Sequence, residues 1–157
     1  NRLESQFQPK FRQSNIFKTP PEITVRSNLF LASLSNDDAR GLSILISRDA
    51  NSRSLFLKTQ GIHECSLILS QDLFEKYKNT IKSKNPLILE DKISAITIYL
   101  PKEALQTSGI YYFFLKSLAW EGVNILELVS TPHELTLIFS DSDLERAFAI
   151  IKSIFTK

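Results

Sequence analysis

The chain has 157 residues, 43% of them hydrophobic, enough for one globular domain or two small ones around a packed core. A formal charge of +2 with scattered basic residues demands no polyanionic partner. The apolar runs fall far short of the roughly 20 residues that cross a membrane, and a single cysteine excludes an intramolecular disulfide or a multi-cysteine metal site.

In chain order, residues 1–20 read as a linker or the end of a missing N-terminal region. With no methionine and a start at Asn1, the sequence is expected to be a piece of a longer protein. The polar, acid-containing start carries no secretory signal, and cytoplasmic placement is the default expectation. EITVRSNLFLASL (22–34) is a long strand, or two. NDDARGLSILISRD suits a helix capped by Asn36, with Gly41 and the SILIS run arguing against it. SLFLKTQ and HECSLILS are strands around a turn at Gly61. SQDLFEKYKNTIK is a helix with Leu73, Phe74, Tyr77 and Ile81 inward. PLILE (86–90) supplies a further strand. Cys65, inside ECSLIL, reads as a small buried hydrophobe.

The second half repeats this order more sharply. ISAITIYLP (93–101) is a strand, and KEALQTSG is a loop. IYYFFLKSLAWEG is a helix with Ile110, Tyr111, Phe114, Leu115 and Leu118 on one face and Gly122 as its stop. NILELVST and ELTLIFS are strands joined by a turn holding Pro132 and His133. SDLERAFAIIKSIF closes the unit, with Ser142 and Glu145 at capping-box spacing. Residues 63–70 (HECSLILS) and 133–140 (HELTLIFS) are nearly the same phrase, and each carries one of the two histidines. Such self-similarity indicates one supersecondary unit used twice. The fold class expected is α+β, as tandem ferredoxin-like βαββαβ units over residues 21–90 and 91–157, with mainly antiparallel sheets and helices on one face. The second copy stops after its last helix. Its open edge must be completed from elsewhere, most plausibly by the 22–34 strand, so that edge strands are exchanged between the units.

The stretch LPKEALQTSGIYYFFLKSLAWEGVNILELVSTPHELTLIF resembles the ACT domain, the amino-acid-sensing regulatory module. It does so through the strand, the loop ending in Gly109, the helix, and GVNI opening the next strand. The opening ITVRSNL and the tandem layout resemble the regulatory half of aspartokinases and their stand-alone, uncharacterised relatives. The resemblance implies that a small amino acid or related carboxylate binds at an interface between two units. The loop and helix start Gln106, Thr107, Ser108, Gly109, Ile110 and Tyr111 would hold it, and Asn124 and Ile125 would form the facing wall. The chain departs from the family pattern where Ser108 stands for the usual proline and Gln106-Thr107 for an acidic loop. Leu126 stands where some aspartokinases carry an acid, which argues against a basic ligand such as lysine.

The remaining residues support blander roles. His63 and His133 each stand alone with a neighbouring glutamate, which is hairpin chemistry rather than a metal site. Lys76, Lys78, Lys82 and Lys84 read as a solvated face, and nucleic acid is not expected to bind this stretch. Phe113 and Trp120, seven apart on one flank of their helix, read as a contact with another ACT unit, in this chain or in a homodimer. No nucleophile–base set or phosphate loop is present, so neither an enzyme nor a cofactor is expected. The function implied is a regulatory or sensory module that passes ligand binding to a partner or missing domain. The alternatives are a ligand-free structural or dimerisation module, or part of a transcriptional regulator with its DNA-binding domain upstream.

Overall fold

The computed structural model describes residues 16–155. Among them the order is β1 (Ile23–Ser35), α1 (Asn36–Asp49), β2 (Phe56–Gln60), β3 (Glu64–Ser70), α2 (Gln71–Ser83), β4 (Ile88–Tyr99), α3 (Ile110–Trp120), β5 (Glu127–Ser130), β6 (Glu134–Ser140) and α4 (Leu144–Phe155). Short 3-10 turns occupy Lys102–Gln106 and Asp141–Asp143. The chain forms two compact units, one of residues 26–94 and one of the residues up to 25 together with those from 95 onward.

In the first unit the strand order is β2-β3-β1-β4. β3 lies antiparallel to both neighbours, with Leu31 opposite Ile68 on β1 and Leu57 opposite Ile68 on β2. Alternation along β1 sends Ala32 and Leu34 inward, where Cys65, Leu67 and Leu69 of β3 meet them. The helices cover this face with Ala39, Leu42, Ile46, Leu73, Phe74 and Ile81. Phe30 stacks on Phe74 at 3.9 Å between centroids. Cys65 is fully buried, as its apolar setting implies.

The second unit has the order β1-β4-β6-β5. Ile96, Ile98 and Leu100 of β4 face Leu135, Leu137 and Phe139 of β6, under Ile110, Phe114 and Leu118 of α3 and Ala147 and Ile151 of α4. Phe17 enters the same core, 5.0 Å from Phe155 and 6.2 Å from Phe114. That places part of the segment read as a linker in the core.

Each unit is therefore a ferredoxin-like sandwich of two helices on a four-stranded sheet, and the expected strand exchange is present. The edge of the second unit is filled by the start of β1, where Tyr99 N–H donates to the carbonyl of Glu22 at 3.0 Å. The edge of the first is filled by the start of β4, where Leu87 N–H donates to the carbonyl of Ser33 at 2.8 Å. PLILE and ISAITIYLP are thus one continuous strand rather than two. Within the first unit both long strands carry a left-handed residue, Asn28 (φ 54°) in β1 and Lys92 (φ 53°) in β4. A single such residue bulges a strand and shifts its alternation by one position.

Three local expectations need correction. The helix α1 begins at Asn36, and its cap is Ser35, whose hydroxyl oxygen accepts from Asp38 N–H at 3.2 Å. The capping box at Ser142 and Glu145 does not form. Asp141–Asp143 tightens into a 3-10 turn and α4 starts at Leu144. Ser142 instead pairs with Ser140 at 3.0 Å, and Asp143 takes Arg146 at 2.6 Å. NILELVST contributes only the four residues of β5, because residues 122–126 are used in leaving α3.

The bulge residues give a test of the strand path. Asparagine tolerates the left-handed region, whereas lysine there costs about 1 kcal/mol. Lys92→Gly is expected to leave urea-unfolding stability unchanged or raise it by up to about 1 kcal/mol, and Lys92→Val to lower it by about 1–2 kcal/mol. The opposite order would contradict the bulge.

Candidate functional site

β4 ends in Leu100-Pro101, and the chain then makes the 3-10 turn. Ala104 N–H donates to Pro101 O at 2.9 Å, Thr107 N–H to Ala104 O at 3.1 Å, and the Thr107 hydroxyl to Glu103 O at 2.8 Å. Two residues later Gly109 sits at φ 83° as the N-cap of α3. This left-handed geometry favours glycine and leaves the helix start without a capping side chain. The first bond of α3 runs from Phe113 N–H to Gly109 O at 3.3 Å. The N–H groups of Ile110, Tyr111 and Tyr112 therefore precede the helical ladder, and no acidic residue stands in that turn. The turn presents positive field and donors without a built-in anion.

The corresponding helix start in the first unit is built differently. Here β1 runs directly into α1 with no intervening loop. Ser35 caps the turn, and Asp37 and Asp38 lie within it. The Ser35 hydroxyl donates to the Asp38 carboxylate at 2.7 Å, and Lys84 approaches that carboxylate at 3.5 Å. The Asn36 amide donates to the carbonyls of Gly61 and Ile62, at 3.1 and 2.9 Å, and so ties the hairpin to the helix. The Ser35 hydrogen bond, assisted by Lys84, holds the Asp38 carboxyl below the usual carboxylate range. This turn already contains its anions.

The expected ligand residues fall into two groups. Gln106, Ser108 and Gly109 are exposed and Thr107 is half-buried. Ile110 is buried, so only its backbone faces the loop. Tyr111 is exposed, and its hydroxyl pairs with that of Ser130 at 2.7 Å. Asn124 and Ile125 lie beyond the other end of α3, beside the turn in which Gly122 and Val123 N–H donate to Ala119 and Leu118 O. The eleven-residue helix separates the two groups by roughly 16 Å within the unit. Through the Tyr111 hydroxyl, the helix start reaches in its own unit Ser130, at the end of β5. Its signal in the sequence was faint: a polar pair, Ser130-Thr131, closing an apolar strand.

Phe113 is half-buried, whereas Trp120 is 76% exposed. A groove of about 290 Å³ lies beside Trp120, lined by Lys116, Ser117, Glu121, Ile150 and Ser153. On the sheet of the same unit, Glu22, Thr24, Thr97, Tyr99 and Glu134 line a cleft of about 120 Å³. His133 stacks on Tyr99 at 6.1 Å, and His63 and His133 both sit in the hairpin turns expected of them. Among the described residues no group of three or more His, Cys, Asp or Glu side chains could hold a metal, and no helix is long and apolar enough to cross a membrane.

No protein-family model matches the chain, and no curated protein does. Solved structures do match. Aspartate kinase from Clostridium acetobutylicum aligns with a TM-score of 0.70 at 18% identity, over 88% of this chain and 35% of the kinase. The regulatory subunit of aspartate kinase from Thermus thermophilus aligns with a TM-score of 0.64 at 15% identity, over 89% of this chain and 100% of that subunit. E. coli aspartokinase III, solved in complex with lysine and aspartate, aligns with a TM-score of 0.63 at 16% identity, over 89% of this chain and 34% of that enzyme. The chain thus spans about a third of those enzymes and all of the Thermus subunit. At these identities the likeness establishes the fold, which is the ACT-type fold of aspartate kinase regulatory regions.

The self-capped turn of α1 gives a pH signature. Because the folded Asp38 carboxyl titrates below its unfolded value of 3.8, its stabilising contribution is present above that pH and is lost as pH falls through the folded value. Asp38→Asn is expected to lower the melting temperature at neutral pH, with the gap to the parent closing as the pH falls below the unfolded value and through the folded one. A gap that persists unchanged in acid would assign the loss to something other than the carboxylate charge.

Proposed function

We propose that this chain is a regulatory module that binds a small amino-acid-like carboxylate at an interface between ACT units and transmits that event to a partner or an attached domain. The observation that carries the proposal is the start of α3. Its N–H groups are uncapped, its first turn lacks acid, and Gly109 lets a ligand approach the backbone. A carboxylate there accepts from Ile110 and Tyr111 N–H, with the Tyr111 and Ser130 hydroxyls beside it. The α1 turn, filled by Ser35 and Asp38, offers no equivalent vacancy for an anion.

Asn124 and Ile125 lie too far from the loop in their own unit to close the site. They act as the facing wall for a loop from another unit, most simply one in a second copy of the chain. A ligand held across such an interface stabilises one relative arrangement of the units over others, and that difference in affinity is what an attached domain reads. E. coli aspartokinase III, with its lysine and aspartate, supports an amino acid as the ligand class. Leu126 is exposed where some aspartokinases carry an acid, so a neutral or acidic amino acid fits this chain better than lysine. One observation favours the alternative, a structural module that binds no ligand: the Thr107 hydroxyl is already committed to Glu103 O.

Isothermal titration against a panel of free amino acids distinguishes the two. The expected result is saturable heat with at least one of them, abolished in Gly109→Trp. A Cβ at Gly109 meets no heavy atom within 4 Å, so the variant is expected to fold with a backbone strain of about 1–2 kcal/mol. Silence across the whole panel would leave the structural reading in place.

A further inference from the structure

We infer that the groove between α3 and α4 is a second small-molecule site, which takes a planar aromatic ring carrying one carboxylate. The inference depends neither on the Gly109 turn nor on a facing unit. The groove holds about 290 Å³ and is lined by Lys116, Ser117, Trp120, Glu121, Ile150 and Ser153. That volume stands at the lower end for small-molecule sites and suits one ring with a short tail. The lining explains the preference for a ring. Both serine hydroxyls donate to carbonyls of their own helices, Ser117 to Phe113 O at 3.2 Å and Ser153 to Ile150 O at 2.7 Å. With those bonds made, they present little but methylene surface to a ligand. Ile150 is half-buried and adds an apolar patch, while Trp120 leaves 76% of its surface in water. A flat apolar body laid on the indole removes both surfaces from water and gains the offset stacking that aromatic pairs favour.

Lys116 supplies the charge. Tyr112, Lys116 and Trp120 are spaced four residues apart and form one stripe along α3. The Lys116 ammonium lies 5.6 Å from the Tyr112 ring and 5.9 Å from that of Trp120, so cation–π attraction holds it at the rim of the groove. Lys76, Lys78 and Lys84 are each bound to an aspartate or glutamate, whereas Lys116 has no such partner among the described residues. A carboxylate that arrives with its ring on Trp120 therefore finds a counter-charge already placed. The same ammonium repels an organic cation from the indole face. Glu121, the residue that ends α3, shares the lining. It stands where the helix field is already negative, so it opposes a second carboxylate and restricts the groove to monoanions.

Trp120 is the chain's single tryptophan, so its emission reports on this groove. Titration with 3-phenylpropionate should give a saturable change in that emission. Propionate, which lacks the ring, and 3-phenylpropanamide, which lacks the charge, should each bind about tenfold more weakly or worse. Phenylsuccinate, with its second carboxylate, should also bind more weakly, and Glu121→Gln should narrow that gap. Lys116→Met should weaken 3-phenylpropionate by about tenfold and leave the amide unchanged, while Lys116→Arg stays within about threefold of the parent. Circular dichroism on each variant separates lost binding from lost folding. Four results each overturn the inference: no saturable response, equal binding of acid and amide, phenylsuccinate binding as tightly as the monoacid, or affinity indifferent to Lys116→Met in a folded variant. Emission of a buried indole in the free protein does so too, since the groove would then be covered. Calorimetry tells this site from the Gly109 turn. Heat from 3-phenylpropionate that persists in Gly109→Trp, beside silence with amino acids, removes the reading of that turn and leaves this one standing. Amino-acid heat lost in Gly109→Trp, beside silence with 3-phenylpropionate, does the reverse.

Discussion

A β-sheet edge is a row of N–H and C=O groups that must find partners, and much of this fold depends on how two such rows are satisfied. Each repeated unit encodes three strands and two helices, one strand short of a closed ferredoxin-like sheet. The deficit is met by length. β1 runs for 13 residues and β4 for 12, against four to seven for the other strands. The surplus at the start of each lies along the open edge of the other's sheet, through bonds such as Tyr99 N–H to Glu22 O and Leu87 N–H to Ser33 O. Because backbone groups make these bonds, the arrangement constrains sequence weakly. That is how 18% identity suffices to share the fold with an aspartate kinase.

The exchange also sets the candidate site on a firm base. β4 is an interior strand of the second unit, held by β1 on one side and β6 on the other. Its Leu100 N–H donates to His133 O at 2.7 Å, immediately before the turn that leads to Gly109. The loop therefore leaves from a point fixed on both flanks, and α3 is clamped beneath it by Ile110, Phe114 and Leu118. The donors of the first helical turn are thus held in position by the core of their own unit.

What could be read from the sequence follows from how local each signal is. Alternation in ISAITIYLP and the 3.6-residue spacing of Leu73, Phe74, Tyr77 and Ile81 identify elements directly, and the doubled HECSLILS/HELTLIFS phrase reveals the duplication. The strand exchange was legible because an absence is itself a signal: a helix-terminated copy with no fourth strand. Other features depended on competition that a linear reading does not expose. Ser35 displaced Asn36 as the cap because Asn36 is drawn to the Gly61–Ile62 carbonyls across the fold. Ser142 pairs with Ser140 instead of capping α4. Within the site, Gly109 was visible as a lone glycine before a helix. Ser130 was not, because its nearness to Tyr111 arises from β5 running back along α3. The separation of Asn124 from the loop has the same cause, since a family pattern lists residues without saying which copy supplies them.

Duplication of a fold does not duplicate its chemistry, and the two helix starts show why. A helix N-terminus carries unsatisfied donors and a positive field wherever it occurs, so both units inherit a potential anion site from their topology. In the first unit that potential is used up internally. The Ser35 hydroxyl and the Asp38 carboxylate occupy the turn, and Lys84 neutralises the charge. The energy goes into fastening α1 and, through Asn36, the neighbouring hairpin. In the second unit the turn is left uncapped, with a glycine where a side chain would fold back. The capping side chain and the acids of the first turn thus separate a turn that stabilises its own unit from one built without them.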